Sequence, residues 1–264
     1  MRRAARLLCV LAAAALPAAP AIGAGCPPPP DAPEKILILG NSLSGLLVPA
    51  LAEAVGSAGL AKPLIVKEGV SGSSLASHLQ RPKVGELVAR NTWDVVVLQE
   101  KSAMPTRAGS PEAFKRAATE LADLVREHSP CARVILFQTW VRRPGHPVYR
   151  KQFGSAEAMH AELRANYRDA AERYLPEHMQ RKGGPPVELA PAGDAWHAAA
   201  AEGLLDIYAR DGVHQAKPGA YLNGLVLFST LYRRSAAGAR DWEIEPGLAR
   251  KLRILADRAT GYPR

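Results

Sequence analysis

Short runs of consecutive apolar residues alternate along this chain with longer segments of helical periodicity. The apolar runs are residues 36–39, 64–66, 95–98, 134–137 and, more weakly, 187–189. Because these runs are apolar throughout, they are typical of strands buried on both faces of a parallel sheet. The helical segments are about 43–57, 74–91, 111–128, 156–181, 218–233 and 246–259. This β-α-β-α order predicts a three-layer α/β/α sandwich with a central, mostly parallel five-stranded sheet.

The first 24 residues have the three-part pattern of a secretory signal peptide. Arginines come first, an apolar run at 7–16 follows, and small residues end the segment at Ala24,. Residues 25–33 form a predicted proline-rich linker, and 34–264 a single folded domain,. No later segment approaches the ~20 apolar residues that a membrane-spanning helix needs. We therefore expect an exported protein, periplasmic or secreted, without a stable membrane span.

Cysteine usage leaves two alternatives for the N-terminal linker. Cys26 follows the signal directly, where a cysteine can carry a lipid anchor, but the lipoprotein pattern requires an aliphatic residue at the position of Gly23,. In an oxidising compartment Cys26 could instead pair with Cys131. We do not favour that disulfide, because one cysteine lies in a linker and the other in a turn. No Cys/His spacing suits a structural zinc site, and no metal is expected.

The chain is basic, with a formal net charge of +9. Its densest basic patch comprises Arg142, Arg143, Arg150 and Lys151. This patch has no interleaved aromatic residues of the kind that single-strand binders use, so a solvated basic surface is favoured over nucleic-acid binding. The surrounding loop, 142–152, follows the fourth predicted strand and is a candidate substrate lid.

Ligands of parallel α/β sheets bind beyond the carboxyl ends of the strands, which directs attention to the residues after each predicted strand. Ser42 follows the first strand and precedes a helix, a position that suits a nucleophile,. The alternative is that Ser42 or Asn41 only caps that helix. A glycine-rich turn, 68–74, follows the second strand, and its backbone N–H groups can approach a ligand closely,.

A carboxylate and a histidine lie three residues apart near the C-terminus. Asp211 can orient the ring of His214 through Nδ1, which leaves Nε2 free to take a proton,. Only His214 combines this carboxylate spacing with a position in a loop that runs into a helix, which distinguishes it from His78, His128, His146, His160, His178 and His197. His214 is therefore the candidate general base.

Three short blocks of this sequence resemble those of the GDSL/SGNH hydrolases and occur in that family's order. The blocks are Gly40-Asn41-Ser42, Gly72 and Asp211-x-x-His214. The resemblance covers about residues 35 to 232 and implies the flavodoxin-like SGNH hydrolase fold. It further implies that Ser42 is the nucleophile and His214, backed by Asp211, its base, without cofactor or metal. The Ser42 and Gly72 N–H groups would then form an oxyanion hole together with an asparagine from a third block.

The third block departs from the usual family pattern. After the third strand the chain has Gln99-Glu100-Lys101-Ser102, so Lys101 occupies the usual asparagine position. Either the carboxamide of Gln99 or the ammonium group of Lys101 could supply the third oxyanion donor. The stretch resembles a branch of the family that has Gln-Glu-Gln-Ser at this point.

Asn41 and Trp140 are candidates for the substrate pocket, because both follow strands at the proposed edge of the sheet,. For Trp140, and for Trp196 after the fifth strand, a place in the core is an equal alternative. The expected function is an exported serine esterase acting on a small-molecule or carbohydrate ester. The alternatives are an envelope sugar O-acyltransferase and a non-catalytic carbohydrate-binding protein on the same fold.

Overall fold

The structure, a computed structural model, describes residues 26, 27 and 32–262. The predicted signal peptide, 1–24, lies outside the described residues, as does most of the predicted linker, 25–33. The signal peptide and the domain boundaries at 34 and 264 therefore remain predictions.

Five parallel strands form one sheet. In chain order they are β1 (Lys35–Leu39), β2 (Leu64–Glu68), β3 (Val95–Leu98), β4 (Arg133–Phe137) and β5 (Glu188–Ala190). Their order across the sheet is β2-β1-β3-β4-β5, and every pairing is parallel. The chain therefore leaves β1 toward one side for β2 and returns to the other side for β3. This reversal creates a crevice beyond the carboxyl ends of β1 and β3, where ligands bind in such sheets. The predicted α/β/α fold is confirmed.

Helices cover both faces of the sheet. They are α1 (Leu47–Ser57), α2 (Leu75–Leu79), α3 (Pro82–Arg90), α4 (Pro111–His128), α5 (Ala156–Asp169), α6 (Leu175–His178), α7 (Ala192–Ala201), α8 (Lys217–Tyr232) and α9 (Pro246–Thr260). The single helix predicted for 74–91 is two helices, because Pro82 disfavours a helical Arg81 and begins a new helix itself,. The alanine-rich α7 was not predicted.

Successive residues of each strand point to opposite faces, so the sheet has two hydrophobic cores. Ile36 and Ile38 pack with α1, α7, α8 and α9, whereas Leu37 and Leu39 pack with α3, α4 and α5. Helix α8 is buried over almost its whole length, between the sheet and the helices α1 and α9. Burial of each large aliphatic side chain stabilises the fold by about 1.5–3 kcal/mol. The two cores hold the carboxyl ends of the strands in fixed positions.

Cys26 and Cys131 form a disulfide, with their Cα atoms 5.4 Å apart. The sequence did not favour this bond, because proximity between residues separated by 105 positions is a property of the fold,. Cys131 precedes β4, at the edge of the sheet opposite the strand carboxyl ends. A Cys26 sulfur that is held in this bond is not available for lipid attachment. No described helix is long and apolar enough to cross a membrane.

Candidate active site

Ser42 begins a short 3-10 turn, Ser42–Ser44, directly after β1. The preceding residue caps this turn, since the Asn41 side-chain oxygen accepts a hydrogen bond from the Leu43 N–H at 3.0 Å,. The Ser42 hydroxyl is not used for capping. Its Oγ lies 2.9 Å from Nε2 of His214.

A second hydrogen bond fixes the imidazole from its other side. Nδ1 of His214 lies 2.6 Å from Oδ2 of Asp211. The ionised carboxylate can only accept, so Nδ1 carries the proton and Nε2 accepts the bond from the Ser42 hydroxyl. The other carboxylate oxygen, Oδ1, accepts from the Val213 and His214 N–H groups at 2.9 and 3.0 Å. Asp211 thereby stabilises the loop in which it lies and orients the His214 ring.

The protonation state of Asp211 follows from these contacts. Partial burial alone would raise the pKa of this carboxyl group. The hydrogen bonds from the His214 side chain and from the two backbone N–H groups outweigh that effect and lower the pKa to about 2,. The carboxylate is therefore charged at neutral pH. Both side chains are open to solvent, with 40% of His214 and 49% of Asp211 exposed.

The turn after β2 lies against the turn after β1. A side chain on Gly69 would collide with the Gly40 carbonyl oxygen, and Asn41 Nδ2 donates to the Ser73 carbonyl at 2.8 Å. Gly72, at φ +77°, is exposed at the tip of this turn. Among the described residues, the Ser42 and Gly72 N–H groups have no hydrogen-bond partner. Both are free to bind an oxyanion.

Gln99 is completely buried and does not have the position predicted for an oxyanion donor. Its Oε1 accepts from the Asn41 N–H at 3.0 Å, and its Nε2 donates to Asn41 Oδ1 at 3.2 Å and to the Glu100 carbonyl. The carboxamide therefore supports the Ser42 turn from inside the protein. Lys101, the alternative donor, is exposed.

Glu100 is a buried carboxyl group that links the third block to the second. It accepts hydrogen bonds from the Leu75 N–H, at 3.3 Å, and from the Lys101 N–H. Burial raises the pKa of Glu100 to about 7, against the lowering effect of these hydrogen bonds and of the Lys101 charge,.

His78 was missed by the sequence reasoning, which found no carboxylate beside it. It is fully buried on α2, and its Nε2 lies 2.9 Å from the Gly40 carbonyl oxygen. Burial lowers the pKa of His78, so the neutral ring donates to that carbonyl,. His78 thus holds the residue that precedes the Asn41–Ser42 pair.

Neither predicted pocket residue lines a pocket with its side chain. Asn41 is 3% exposed and Trp140 is 1% exposed. The Trp140 ring stacks on Trp196 with the ring centres 4.3 Å apart, and its Nε1 donates to the Val213 carbonyl at 3.0 Å. Buried tryptophans need a partner for this N–H group, and here the partner belongs to the loop that carries His214. Trp196 is buried as well.

The basic loop 142–152 lies beside the histidine loop. Arg143 N–H donates to the Gly212 carbonyl at 2.8 Å, and Arg142 donates to the Ser102 hydroxyl. A cavity of about 740 Å³ lies elsewhere, along α9, and has none of the site residues in its wall. No cluster of three or more potential metal ligands occurs within residues 32–262.

Solved structures share this fold. A DUF4886 family protein from Bacteroides uniformis superposes with a TM-score of 0.73 at 21% identity, covering 87% of this chain and 95% of its own. A protein from Slackia heliotrinireducens, described as a candidate SGNH hydrolase, has a TM-score of 0.61 at 27% identity, with 75% and 98% covered. A carbohydrate esterase family 3 structure from Talaromyces cellulolyticus has a TM-score of 0.54 at 17% identity, with 75% and 96% covered. No protein-family model and no curated protein sequence matches the chain.

Proposed function

Because this chain belongs to the GDSL/SGNH hydrolase superfamily, we propose that it is an exported serine esterase that hydrolyses carboxylic esters. One observation carries the proposal. Ser42 Oγ, the His214 ring and the Asp211 carboxylate form a continuous hydrogen-bonded chain with distances of 2.9 and 2.6 Å. A nucleophile, a base and a group that orients the base, within hydrogen-bond reach of each other, are the requirements for acyl transfer through serine.

The reaction has two steps. Ser42 Oγ attacks the ester carbonyl carbon while its proton passes to His214 Nε2,. The resulting imidazolium gives this proton to the leaving alcohol oxygen as the C–O bond breaks, and the acyl group stays on Ser42. Water then loses a proton to Nε2, attacks the acyl carbon, and releases the acid as Ser42 regains its proton. Asp211 remains ionised throughout and stabilises the imidazolium.

The oxyanion of each tetrahedral intermediate would bind to the Ser42 and Gly72 N–H groups. Both groups are unpaired in the described part of the chain. Since the Gln99 carboxamide is occupied by Asn41, we assign the third donor to Lys101, which is exposed and forms no ion pair in the described part of the chain. A lost donor of this kind costs about 10²–10³ in kcat.

We propose O-acetylated carbohydrates as the substrate class. The partly exposed His214 and Asp211 side chains favour a bulky hydrophilic alcohol over a long acyl chain that must leave water,. The same exposure gives water access to the acyl-enzyme, which favours hydrolysis over transfer to a sugar. One fold neighbour is described as a carbohydrate esterase.

The test is hydrolysis of p-nitrophenyl acetate and p-nitrophenyl decanoate by the protein without residues 1–24, beside Ser42→Ala. We expect serine-dependent release of p-nitrophenol with preference for the acetate. A fluorophosphonate probe should label the wild type, and mass spectrometry should place the label on Ser42. A folded wild type that neither hydrolyses the esters nor takes the label would refute the esterase and leave the non-catalytic carbohydrate-binding alternative. Acetyl transfer to an added sugar that exceeds acetate release would identify an acyltransferase.

Export is supported by the Cys26–Cys131 disulfide, because such bonds persist in oxidising compartments,. We expect the protein produced from the full chain to be recovered outside the cytoplasm of a bacterial host, with residues 1–24 removed. Iodoacetamide should modify these two cysteines only after reduction. A lipid on Cys26, or two free thiols in the exported protein, would contradict this part of the proposal.

A further inference from the structure

Two arginines beside the His214 loop lack a carboxylate partner. Neither Arg142 nor Arg143 lies within ion-pair distance of an acidic group in the described part of the chain. Elsewhere on the protein many arginines are paired, such as Arg133 with Glu188 at 2.7 Å. The two arginines therefore give the site an excess of positive charge that is held in no ion pair within residues 32–262.

The side chain of Arg142 is largely removed from water. One terminal nitrogen, Nη2, donates to the Ser102 hydroxyl, whereas Nη1 is shielded from solvent and has no partner among the described residues. Burial lowers the pKa of this guanidinium, although Asp211 acts in the opposite direction. Keeping a charge in such surroundings without a partner is costly. Ser102 is itself held at φ +22°, which is unusual for a residue other than glycine and is typical of functional sites,.

The positions of both arginines are fixed relative to the proposed catalytic residues. The Arg143 N–H bonds to the Gly212 carbonyl at 2.8 Å, and the Arg143 Cβ atom lies 3.1 Å from where a side chain on Gly212 would begin. Arg142 reaches the third block through Ser102. The Arg142 side chain therefore lies between the loop of Asp211 and His214 and the loop that follows β3, and the exposed Arg143 side chain begins directly against the loop of Asp211 and His214.

The acidic groups of this region offset these charges only in part, and none forms an ion pair with Arg142 or Arg143 in the described part of the chain. Asp211 is bonded to His214 and to two backbone N–H groups. Glu100 is the buried carboxyl group of the third block and is bonded to the Leu75 and Lys101 N–H groups. The exposed Lys101 adds a further positive charge next to Ser102. A partly desolvated cluster with an excess of positive charge attracts anionic ligands.

We propose that the substrate is an acidic carbohydrate ester whose anionic group binds to Arg143 in the positive field of the partly buried Arg142. This inference rests on the proposed esterase function and specifies its substrate. Guanidinium groups bind carboxylate, sulfate and phosphate oxygens through paired N–H donors. A sugar carboxylate is the group to which we commit, with sulfate and phosphate sugars as the alternatives that the test separates.

The first experiment is competition during p-nitrophenyl acetate hydrolysis by the wild type. Glucuronate is compared with glucose 6-sulfate, glucose 6-phosphate and neutral glucose. We expect glucuronate to inhibit at least about tenfold more strongly than glucose, which corresponds to about 1.4 kcal/mol. Stronger inhibition by the sulfate or the phosphate would overturn the carboxylate assignment. Equal inhibition by all four sugars would overturn the anion subsite.

The second experiment measures acetate release from O-acetylated methyl glucuronoside and from O-acetylated methyl glucoside. The ratio of the two kcat/KM values should fall about tenfold in Arg143→Gln. The matched control is Arg150→Gln, an exposed arginine of the same loop in the turn Tyr149–Phe153, in which the ratio should stay close to that of the wild type. An equal fall in both variants would indicate a diffuse field and overturn a subsite at Arg143.

The two proposals fail in different ways. If the wild type does not hydrolyse p-nitrophenyl acetate, the esterase assignment fails. If it hydrolyses this neutral ester but has no preference for the acidic sugar ester, only the anion subsite fails.

Discussion

The exposed front of the site and its buried support differ in how they tolerate change. The front consists of Ser42, Asp211 and His214, of which the last two are nearly half exposed. The support behind it includes Gln99 and His78, which are fully buried and bonded to the backbone of the two residues that precede Ser42. Groups that meet a substrate need access, whereas groups that fix a backbone need burial. Changes at the front should therefore alter turnover alone, and changes in the support should alter both turnover and stability.

The largest effect is expected at the front, in Asp211→Asn. The amide oxygen can still accept from the Val213 and His214 N–H groups, so the loop is retained. The amide NH₂ group, however, faces Nδ1 and favours the wrong tautomer of His214,. We expect kcat for p-nitrophenyl acetate to fall by about 10⁴. The midpoint of thermal unfolding should change little.

The matched control for this variant is Asp206→Asn, at an exposed aspartate in the preceding short helix. Its turnover should equal that of the wild type. A large loss of stability in Asp211→Asn would contradict the division between front and support.

The next largest effect is expected in the support, in Gln99→Ala. This change removes both hydrogen bonds to Asn41 and leaves a cavity beneath the Ser42 turn. We expect the free energy of unfolding to fall by about 2–4 kcal/mol. Because the turn that carries the nucleophile loosens, kcat should fall as well, by about tenfold or more. Urea unfolding and ester hydrolysis measure the two effects.

Lys101→Ala is the matched control for stability, because Lys101 is the exposed neighbour in the same block. Its free energy of unfolding should stay within about 0.5 kcal/mol of the wild type. A loss of about 10²–10³ in kcat for the neutral p-nitrophenyl ester would support its assignment as the third oxyanion donor. A loss of turnover in Gln99→Ala without any loss of stability would instead indicate that Gln99 is the third oxyanion donor, as one of the two sequence-based alternatives predicts.

A smaller effect that depends on pH is expected in Glu100→Gln. The pKa of this carboxyl group is about 7 in the folded protein, against an ordinary value of 4.5. Between these values the folded state binds more protons than the unfolded state, so this group lowers the stability as the pH rises from 4.5 to 7. A glutamine oxygen can still accept from the Leu75 and Lys101 N–H groups. The variant should therefore gain up to about 3 kcal/mol relative to the wild type between pH 5 and pH 8.

Urea unfolding of both proteins at the two pH values measures this gain. Glu86→Gln, at an exposed position of α3, is the control and should follow the wild type at both. Parallel pH dependence of Glu100→Gln and the wild type would mean that Glu100 is not a buried, protonated group at pH 5.

The same comparison explains which parts of the molecule could be predicted from the sequence. The five strands were predicted because their apolar runs are continuous, and Asp211 and His214 were paired because they are three residues apart. Both signals are local. The break at Pro82 was also visible locally, but helical periodicity across it was given more weight.

The support could not be predicted, because it depends on contacts between distant segments. Nothing in the residues around Gln99 indicates that its carboxamide bonds to a residue 58 positions away. The same holds for the ring of Trp140, which was expected at the pocket and lies in the core. The direction of a side chain depends on how the helices and the sheet pack together, and it cannot be deduced from the spacing of residues along the chain.

The smallest effect is expected where the support contacts the front through one hydrogen bond, in Trp140→Phe. The phenyl ring can still pack on Trp196, but it has no donor for the Val213 carbonyl, which precedes His214. The lost bond should reduce the free energy of unfolding by about 1 kcal/mol. Because that carbonyl belongs to the loop of the base, kcat for p-nitrophenyl acetate should fall by about three- to tenfold with little change in KM.

Trp93→Phe is the control, since its Nε1 donates to the Leu87 carbonyl, far along the chain from the site residues. Its stability should fall similarly while kcat is retained. Equal losses of kcat in both variants would mean that Trp140 contributes only to general packing, and the buried support would then end at Gln99 and His78.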